Sequence, residues 1–472
     1  MSKKFYITTA IPYANGVPHM GHPMQPLYGD VLARYYRANG YDVFFLVGLD
    51  ENGQSVYNKA KCTGVNVKDF TEDIRKKFIE LHKKLNDTYD DFIRTTDEKR
   101  HWPTAQEIWR RAEKNGDIYK KNYKGLYCVG CEEFKLERDL VDGKCPDHQT
   151  KPEEIEEENY FFKLSKYQDF ILKIFEKNPD FVYPKNKYNE AYQIVKGSLE
   201  DVSISRPKDR LPWGVPVPGD ETHIMYVWFD ALTNYLSGVG FTSDKKKFEK
   251  YWPEDIQIMG KDNNKWHSIL WPAMLKSAGL KIQKKVFVHG YVLGKGGIKM
   301  SKTIGNVVDP VEMIDKYGTD AFRYFMLSKI PIDHDGIFDE DHFREVYDSE
   351  LSNDLGNLLQ RTLTMINKYK VQVKLEKVEN RENKKIESLD FNGATSDIWE
   401  IVRGCNKKIE KEKPWELAKT DTKKLTIVLN DIYNKLGMIS YAIYPFMPET
   451  SEKMKKQLKT LKPEPLFPRL EK

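Results

Sequence analysis

Short apolar runs, separated by polar turns, form a regular pattern at the start of the chain. Residues 3–11, "KKFYITTAI", predict a buried strand, and residues 42–50, "DVFFLVGLD", predict a second one. Between them, a helical pattern runs from Gly21 to Arg37 and stops before Gly40. A strand, a helix and a strand at this spacing predict a parallel βαβ unit, whose ligands bind where the carboxyl ends of the strands meet the helix N-termini.

The pattern changes twice further along the chain. Residues from about 115 to 223 contain the acidic run "EEIEEE", three clustered cysteines and the proline-rich "SISRPKDRLPWGVPVP", so we interpret them as an inserted domain. Strand-like runs then return at "IQIMG" and "KVFVHGYVL". From Asp309, a predicted helix cap, the pattern becomes helical, with long helices near 345–370, 395–412 and 422–442. The sequence thus predicts an α/β domain interrupted by an insertion and followed by a helical tail.

Composition supports several globular domains. A chain of 472 residues suggests about three domains, and 40% hydrophobic with 31% charged residues excludes a disordered or fibrous protein. The net charge is only +5, so a nucleic-acid partner would have to be bound by local basic patches. No apolar stretch approaches the roughly 18 residues of a membrane span, and the N-terminus resembles neither a secretory signal nor a transit peptide. We therefore expect a soluble, cytoplasmic protein without a membrane partner.

The segment "PYANGVPHMGH" lies between the first predicted strand and its helix. His19 and His22 are three positions apart and share a face, close to a helix N-terminus that offers unpaired N–H groups to phosphates. Gly21 would allow the backbone to approach a flat base closely. Taken alone, two surface histidines at a helix start, or a metal-binding pair, explain this segment better than a phosphate site does.

A second candidate is "GGIKMSKTIGN" at residues 296–306, which carries Lys299, Ser301 and Lys302 between glycines. Such lysines are commonly part of a solvated basic loop. The alternative is a mobile clamp whose ammonium groups neutralise the charge that builds up as a phosphate leaves. Flanking glycines would permit the loop to close.

Together, these two segments resemble the paired signatures of the class I aminoacyl-tRNA synthetases. "HMGH" follows the first strand, and "KMSKT" begins 277 residues after His22. The segments "TTAIPYANGVPHMGH", "YVWFDALTNY", "GKDNNKWHSILWPAML" and "GIKMSKTIGNVVDP" narrow the resemblance to the methionyl-tRNA synthetase family. The likeness extends over essentially the whole chain.

Four residues in the insertion have the spacing of a zinc site. Cys128, Cys131, Cys145 and His148 form a CxxC that is followed by a CxxH, which can surround a tetrahedral ion. A site filled by four protein ligands is structural rather than catalytic. Five cysteines in total, an odd number, also argue against a disulfide framework.

The resemblance implies a methionine pocket. Its walls would be Ile11, Tyr13, Trp228, Ala231, Leu232, Tyr235, Asn263 and His267. Aromatic rings suit a polarizable thioether. Asp50, at the end of the second strand, would accept the substrate ammonium group. Core packing is the usual explanation for each aromatic residue taken singly.

Three positions depart from the family pattern. Asn263 stands where isoleucine usually follows "GKD", Asn52 replaces the histidine of "DEHG", and Thr303 replaces the last serine of the lysine signature. The change at Asn263 matters most, since its amide could turn outward or reshape the space around the thioether.

In the tail, the resemblance assigns the tRNA anticodon to Asn357, Arg361 and Trp415. Asn357 and Arg361 are four positions apart and so project from one helix face, while the Trp415 indole, after Pro414, could stack on an unstacked base. Without the resemblance, a polar helix face and a packed tryptophan would explain them.

The resemblance implies the following order of domains. It comprises a Rossmann-type catalytic domain in two halves at 1–114 and 224–308, a zinc-binding connective insertion at 115–223, a stem-contact linker with the KMSKT loop at its start at 309–345, and an all-α anticodon-binding domain at 346–472. The implied reaction is ATP-dependent activation of L-methionine and its transfer to tRNA(Met), with one structural Zn²⁺ and with Mg²⁺ accompanying ATP.

Two alternatives stay open from the sequence. One is a class I synthetase for another aliphatic amino acid, although the zinc-bearing segment accounts for most of the insertion and leaves little room for an editing domain. The other is a non-catalytic tRNA-binding paralogue, which would have no reason to keep His19, His22, Lys299 and Lys302. The chain ends at Lys472 without an appended dimerisation domain, so we expect a monomer.

Overall fold

The structure is a computed structural model of a single chain. It describes residues 3–135, 137–146, 149–300, 307–377 and 382–470. The predicted fold class is confirmed: a parallel sheet carries the α/β domain, and a helical region follows it.

The strands, numbered in chain order, have the following bounds. They are β1 Lys4–Thr9, β2 Asp42–Leu49, β3 Asp91–Arg94, β4 Ile118–Cys128, β5 Glu133–Lys135, β6 Glu153–Phe162, β7 Val182–Tyr183, β8 Val202–Ser203, β9 Ser205–Pro207, β10 Pro216–Val217, β11 Asp220–Met225, β12 Ile256–Gly260, β13 Val286–His289, β14 Val292–Leu293 and β15 Gly336–Ile337.

The α-helices are numbered in the same way. They are α1 Met24–Ala38, α2 Gln54–Thr63, α3 Val67–Leu85, α4 His101–Lys114, α5 Gln168–Lys177, α6 Lys185–Lys196, α7 Val227–Ala231, α8 Asn234–Gly238, α9 Lys245–Tyr251, α10 Trp271–Ser277, α11 Pro310–Tyr317, α12 Thr319–Ser328, α13 Glu340–Val346, α14 Asn357–Tyr369, α15 Lys384–Glu387, α16 Phe391–Glu412, α17 Pro414–Thr420, α18 Thr422–Ala442 and α19 Pro448–Thr460.

The central sheet has six parallel strands in the order β3-β2-β1-β12-β13-β7. Its strands are apolar on both faces because helices cover both sides. Phe45 and Val47 of β2 belong to one buried cluster, whereas Phe44 and Leu46 belong to the other, as the alternation of side chains along a strand requires. The order of the strands reverses between β1 and β12, so the ligand crevice is expected at their carboxyl ends.

The segment between the two halves of the sheet carries two antiparallel sheets, β5-β4-β6-β8 and β10-β11-β9. Its longest pairing joins β4 to β6, from Ile118 opposite Phe162 to Tyr127 opposite Glu153. One short piece of this segment, β7, pairs instead with β13 at the edge of the central sheet.

The C-terminal part is helical in the described residues after β15. The predicted cap at Asp309 is confirmed, since its carboxylate accepts the N–H of Val311 at 2.7 Å. The cluster on one face of the sheet continues without a break into this region, through residues such as Phe322, Leu359 and Ile432. No helix among the described residues is long and apolar enough to cross a membrane.

Candidate active site

A cavity of about 520 Å³ opens at the carboxyl ends of β1, β2, β12 and β13. Thirteen of the residues that the sequence assigns to ATP or methionine line it. They are Ile11, Tyr13, His19, Gly21, His22, Asp50, Trp228, Ala231, Leu232, Tyr235, Asn263, His267 and Lys299. Segments that are distant in the chain therefore converge where the strand order reverses.

The His19 and His22 rings lie against each other at one wall of the cavity, with ring centroids 3.9 Å apart and planes tilted by 45°. The backbone N–H of His19 donates to Nδ1 of His22 at 2.9 Å, and the N–H of Gly21 donates to Nδ1 of His19 at 3.1 Å. These bonds belong to a turn, because α1 begins only at Met24 and not at Gly21 as predicted. The turn holds both imidazole rings in place just before the helix.

Gly21 has little room for a side chain. A Cβ atom at this position would lie 3.0 Å from Cε1 of His19. Burial and the adjacent His19 lower the pKa of His22 well below its usual value, so the His22 ring is neutral near pH 7. A neutral imidazole can bind a phosphate only by donating its one N–H.

Lys299 lines the same cavity as the two histidines, although it is exposed and lies on the loop that follows β14. Met300 also lines the cavity and packs partly against the core. Ser301, Lys302 and Thr303 lie outside the described residues. The structure thus brings the start of the lysine segment and the histidine segment to one cleft.

Aromatic rings form one wall of the cavity. Trp228 stacks on Trp266 with ring centroids 4.8 Å apart and an interplanar angle of 14°. The Tyr13 ring meets Trp228 edge-on at 6.1 Å. Ala231 and Leu232 continue this wall from the same short helix as Trp228 and from the residue after it. The wall can enclose an unbranched apolar side chain and place a thioether against π-systems.

A fixed hydrogen-bond chain closes the pocket floor. The carbonyl of Asn263 can only accept, so Nδ1 of His267 donates to it at 2.9 Å. Nε2 of His267 then accepts the hydroxyl proton of Tyr235 at 2.7 Å. Burial lowers the pKa of His267 to about 4, which keeps the ring neutral. The acceptor in this contact is the backbone carbonyl of Asn263, which any residue at this position would supply. The replacement of the family's isoleucine by asparagine therefore does not alter this hydrogen bond.

Asp50 immediately follows β2 and lies beside Tyr13 in a parallel bridge. The N–H of Asp50 donates to the carbonyl of Pro12 at 2.8 Å, which joins the loop after β1 to the end of β2. Burial and the nearby Asp230 carboxylate raise the pKa of Asp50 well above its usual value. An incoming ammonium group would offset this repulsion and be bound by a carboxylate shielded from water.

Three of the four predicted metal ligands converge. The Sγ atoms of Cys128, Cys131 and Cys145 lie within 4.8 Å of one another, and those of Cys131 and Cys145 are 3.4 Å apart. Sulfur ligands of a tetrahedral zinc are about 3.8 Å apart, so the cluster fits such an ion. His148 lies outside the described residues. The cysteine cluster can therefore hold a metal ion.

A buried glutamate connects this cluster to the cavity region. Glu132 follows Cys131, and its carboxylate accepts the N–H groups of Gln54, at 3.0 Å, and Ser55 at the start of α2. The carbonyl of Glu132 accepts the hydroxyl of Tyr226, just before α7. Apart from the position of Glu132 beside a cysteine, no sequence pattern indicates this role.

The three predicted anticodon residues lie on the surface of the helical region. Asn357 and Arg361 are on α14, and Trp415, 41% exposed, is on α17. α14 and α17 pack against each other. Their positions are compatible with one shared contact surface.

Sequence reasoning did not single out several residues that line the cavity. Asp262, His289 and Tyr291 are among them. Tyr291 follows the carboxyl end of β13 by two positions, and this place in a parallel sheet is the signal that could have identified it.

Comparison with known families matches "tRNA synthetases class I (M)" over residues 5–154 and 148–363. The chain also resembles the methionine–tRNA ligase of Caldanaerobacter subterraneus subsp. tengcongensis, with 43% identity over 97% of this chain and 74% of the relative. The chain belongs to the methionyl-tRNA synthetase family. The methionine–tRNA ligase of Thermotoga maritima is 41% identical over 96% of this chain and 74% of that protein.

Solved methionyl-tRNA synthetase structures share the fold along the whole chain. The Mycobacterium tuberculosis methionyl-tRNA synthetase in complex with methionyl-adenylate superposes with a TM-score of 0.91 at 35% identity, covering 99% of this chain and 100% of that one. The free form of the same enzyme gives 0.84 at 33% identity, covering 100% and 99%. The fold is therefore that of the family from end to end.

Proposed function

We propose that the cavity is the site where this methionyl-tRNA synthetase activates methionine. In the first step the methionine carboxylate attacks the α-phosphorus of ATP, the bond to the β-phosphate oxygen breaks, and methionyl-adenylate and pyrophosphate form. In the second step the terminal ribose hydroxyl of tRNA attacks the methionyl carbonyl and AMP leaves. The convergence of Asp50, the histidine turn and Lys299 on one cavity is the observation that carries the proposal.

ATP would lie along the histidine turn. His19 and His22 would donate to phosphate oxygens, and Gly21 would leave room for the nucleotide beside the His19 ring. Lys299, Ser301 and Lys302 would close over the triphosphate and neutralise the charge on the departing pyrophosphate. Loop opening would then let ATP enter and pyrophosphate leave.

Methionine would bind between Asp50 and the aromatic wall. Asp50 would accept the ammonium group, while Ile11, Tyr13 and Trp228 would surround the side chain. Ala231, Leu232, Tyr235, Asn263 and His267 would complete the pocket. Its neutral histidine and apolar surfaces suit an uncharged thioether and disfavour a charged side chain.

No side chain is required as a covalent nucleophile, since the substrate carboxylate is itself the attacking group. Catalysis would come from holding the carboxylate in line with the α-phosphorus and from stabilising the charge on the leaving group. The cavity has groups for both tasks: an apolar pocket that would position methionine, and histidines and a lysine that would stabilise the phosphate charge.

The tRNA(Met) anticodon would bind to Asn357, Arg361 and Trp415. Arg361 and Asn357 supply hydrogen-bond donors from one helix face, and the partly exposed Trp415 ring offers a stacking surface. Since phosphate contacts contribute to such binding, tRNA affinity should fall as salt rises. A salt-independent affinity would contradict this surface.

The metal cluster would hold one Zn²⁺ through Cys128, Cys131, Cys145 and His148. A zinc ion bound by four protein ligands would supply cross-linking of the chain and no chemistry. Mg²⁺ would accompany ATP and share the neutralisation of its phosphates.

Amino-acid-dependent exchange between ATP and labelled pyrophosphate tests the proposal. Methionine should support exchange, whereas leucine and isoleucine should give rates lower by about two orders of magnitude or more. Equal exchange with leucine would favour a sibling specificity. An absence of exchange with every amino acid would favour a tRNA-binding paralogue. The monomeric state and the cytoplasmic location stay predictions.

A further inference from the structure

A continuous buried hydrogen-bond chain runs outward from Asp50 to α4. Oδ1 of Asp50 accepts the backbone N–H of Asn52 and the hydroxyl of Thr95, both at 3.1 Å. The side-chain amide of Asn52 donates to Oδ2 of Asp230 at 2.8 Å. Oδ1 of Asp230 pairs with Nε2 of His101 at 2.8 Å. All five residues are at most 2% exposed.

This series of hydrogen bonds ends at Ser237 on α8, and each side chain in it has a hydrogen-bond partner. Nδ1 of His101 lies 3.1 Å from Oγ of Ser237, and the Ser237 hydroxyl donates to the carbonyl of Thr233. The Asn52 amide also reaches the carbonyl of Thr95 at 3.3 Å. A buried carboxylate such as Asp230 requires partners of this kind, because an unpaired one would be strongly destabilising.

Both hydrogen bonds that Asp50 accepts from the described residues end on Oδ1. This arrangement fixes the rotation of the carboxylate and directs Oδ2 away from those two donors. Asp50 itself lines the cavity. Oδ1 of Asp50 therefore accepts hydrogen bonds from the protein, and Oδ2 is available to a ligand.

Asn52 joins two walls of the cavity. Its backbone N–H holds Asp50 at the end of β2, and its side chain holds Asp230 on α7. Trp228 and Ala231 of the aromatic wall belong to the same helix as Asp230. The side-chain hydrogen bond of Asn52 thus links the segment that carries the Asp50 carboxylate to the helix that carries part of the apolar wall.

We propose that Asp230, held by His101 and joined through Asn52 to Asp50, is a positioning residue for the ammonium group of methionine. The inference rests on the proposed role of Asp50. Asp230 does not line the cavity, and it acts by fixing Asn52 and, through it, the Asp50 carboxylate. This role explains why a histidine-aspartate pair with no access to substrate lies behind the site.

This network gives a structural role to Asn52, which replaces the histidine of the family pattern. A histidine, which the family pattern has at this position, also carries an N–H that can donate to a carboxylate. The chain therefore keeps a donor toward Asp230 with a different residue type. Asn52→His should accordingly preserve the connection, whereas Asn52→Leu and Asn52→Ser remove it and leave the backbone N–H to Asp50 in place.

The test measures ATP–pyrophosphate exchange for these variants of the full-length protein. Asn52→Leu should raise the KM for methionine by about tenfold, as expected for one hydrogen bond to a charged group. The KM for ATP should stay within about threefold. Asn52→His should stay close to the unaltered protein. Asn159→Leu, which removes a buried asparagine side chain on β6 outside this network, serves as the matched control with no more than about a twofold change.

A probe that lacks the ammonium group separates positioning from general damage. 4-(Methylsulfanyl)butanoate has the methionine side chain and carboxylate, and its inhibition constant should be unchanged in Asn52→Leu. Equal weakening of methionine and of this probe would overturn the proposal, as would an unchanged methionine KM in a folded variant. If thermal melting shows Asn52→Leu unfolded, Asn52→Ser gives the same decision.

Asp50→Asn is measured in the same assay. It distinguishes a wrong positioning role for Asp230 from a wrong assignment of the ammonium site. If Asp50→Asn strongly lowers methionine affinity and Asn52→Leu leaves the methionine KM unchanged, only the positioning role is overturned. A silent Asp50→Asn would overturn both that role and the assignment of the ammonium site.

Discussion

The Lys299 ammonium group lies 5.4 Å from the centre of the Tyr291 ring, at the edge of the cavity. The Lys261 ammonium group lies 4.3 Å from the same ring. Asp335 binds Lys261 at 2.8 Å and accepts the backbone N–H of Tyr291 at 2.9 Å, so the ring is held in place. Lys299, the first lysine of the proposed clamp, thus has an aromatic ring beside it.

Replacing Tyr291 by leucine should slow adenylate formation by about two- to fivefold, since a cation–π contact at an exposed site contributes about 0.5–1 kcal/mol. Tyr291→Phe keeps the ring and should behave like the unaltered protein. Rapid-quench measurement of adenylate formation compares the two. A phenylalanine variant as slow as the leucine variant would show that the hydroxyl, and not the ring, matters.

Lys302→Ala should slow adenylate formation by on the order of 10²-fold, as for loss of a donor that stabilises charge on a leaving group. The affinity for methionine should change little, since the clamp would act on the phosphates. Lys295→Ala is the matched control on the same loop, because Lys295 is exposed and pairs with Asp341 at 2.7 Å. Normal pre-steady-state adenylate formation in Lys302→Ala would refute its role.

Cys145→Ser should abolish binding of one equivalent of zinc and lower the thermal midpoint, because the Cys145 thiol is fully buried among its partners. Metal content by atomic emission and melting curves with and without a chelator measure both effects. Cys62→Ser alters an exposed cysteine outside the cluster and should change neither. Retention of a full zinc equivalent by Cys145→Ser would exclude the cluster as the metal site.

Glu254 should make the protein less stable as the pH rises. Burial raises its pKa from 4.5 to about 8, so the folded state holds a proton that the unfolded state releases. The unfolded state therefore binds fewer protons between about pH 4.5 and pH 8, and the free energy of unfolding falls across this range. The resulting penalty at pH 8 is on the order of 3–4 kcal/mol.

Glu254→Gln removes this proton linkage. Urea unfolding at pH 5.5 and pH 8 should show the variant gaining stability relative to the unaltered protein as the pH rises. Glu113→Gln, at an exposed glutamate on α4, is the control and should show no such divergence. Parallel pH profiles for Glu254→Gln and the unaltered protein would mean that Glu254 is already ionised when folded.

Four of the six strands of the central sheet, β1, β2, β12 and β13, could be predicted because their apolar runs are short and sharply bounded, whereas the short edge strands β3 and β7 were not predicted. "IQIMG" matches β12 residue for residue. "KVFVHGYVL" was predicted as a single run, and the structure divides it into β13 and β14. The interruption begins at Gly290, where a Cβ atom would lie 2.1 Å from the carbonyl oxygen of His334. Such a close backbone approach depends on tertiary contacts that a local pattern does not contain.

The candidate site could be predicted only in part, for a related reason. His22 and Lys299 belong to contiguous motifs, so their resemblance to a family identified them, and both line the cavity. The pairing of His101 with Asp230 joins positions 129 apart in the chain. Neither belongs to a spacing that indicates chemistry, and Asp230 lies within an apolar run where a carboxylate is costly to bury. The cost of burying the Asp230 carboxylate was the one feature of the sequence that could have indicated its role.

The central claim is that methionine and ATP meet in the cavity between Asp50 and the histidine turn. A crystal structure with the non-reactive adenylate analogue methionyl sulfamoyl adenosine tests this most directly. We predict the analogue's ammonium group within hydrogen-bond distance of Asp50, its thioether against Trp228 and its sulfamoyl group beside His22. An analogue bound elsewhere, or lying in the cavity with its ammonium group turned away from Asp50, would contradict the account.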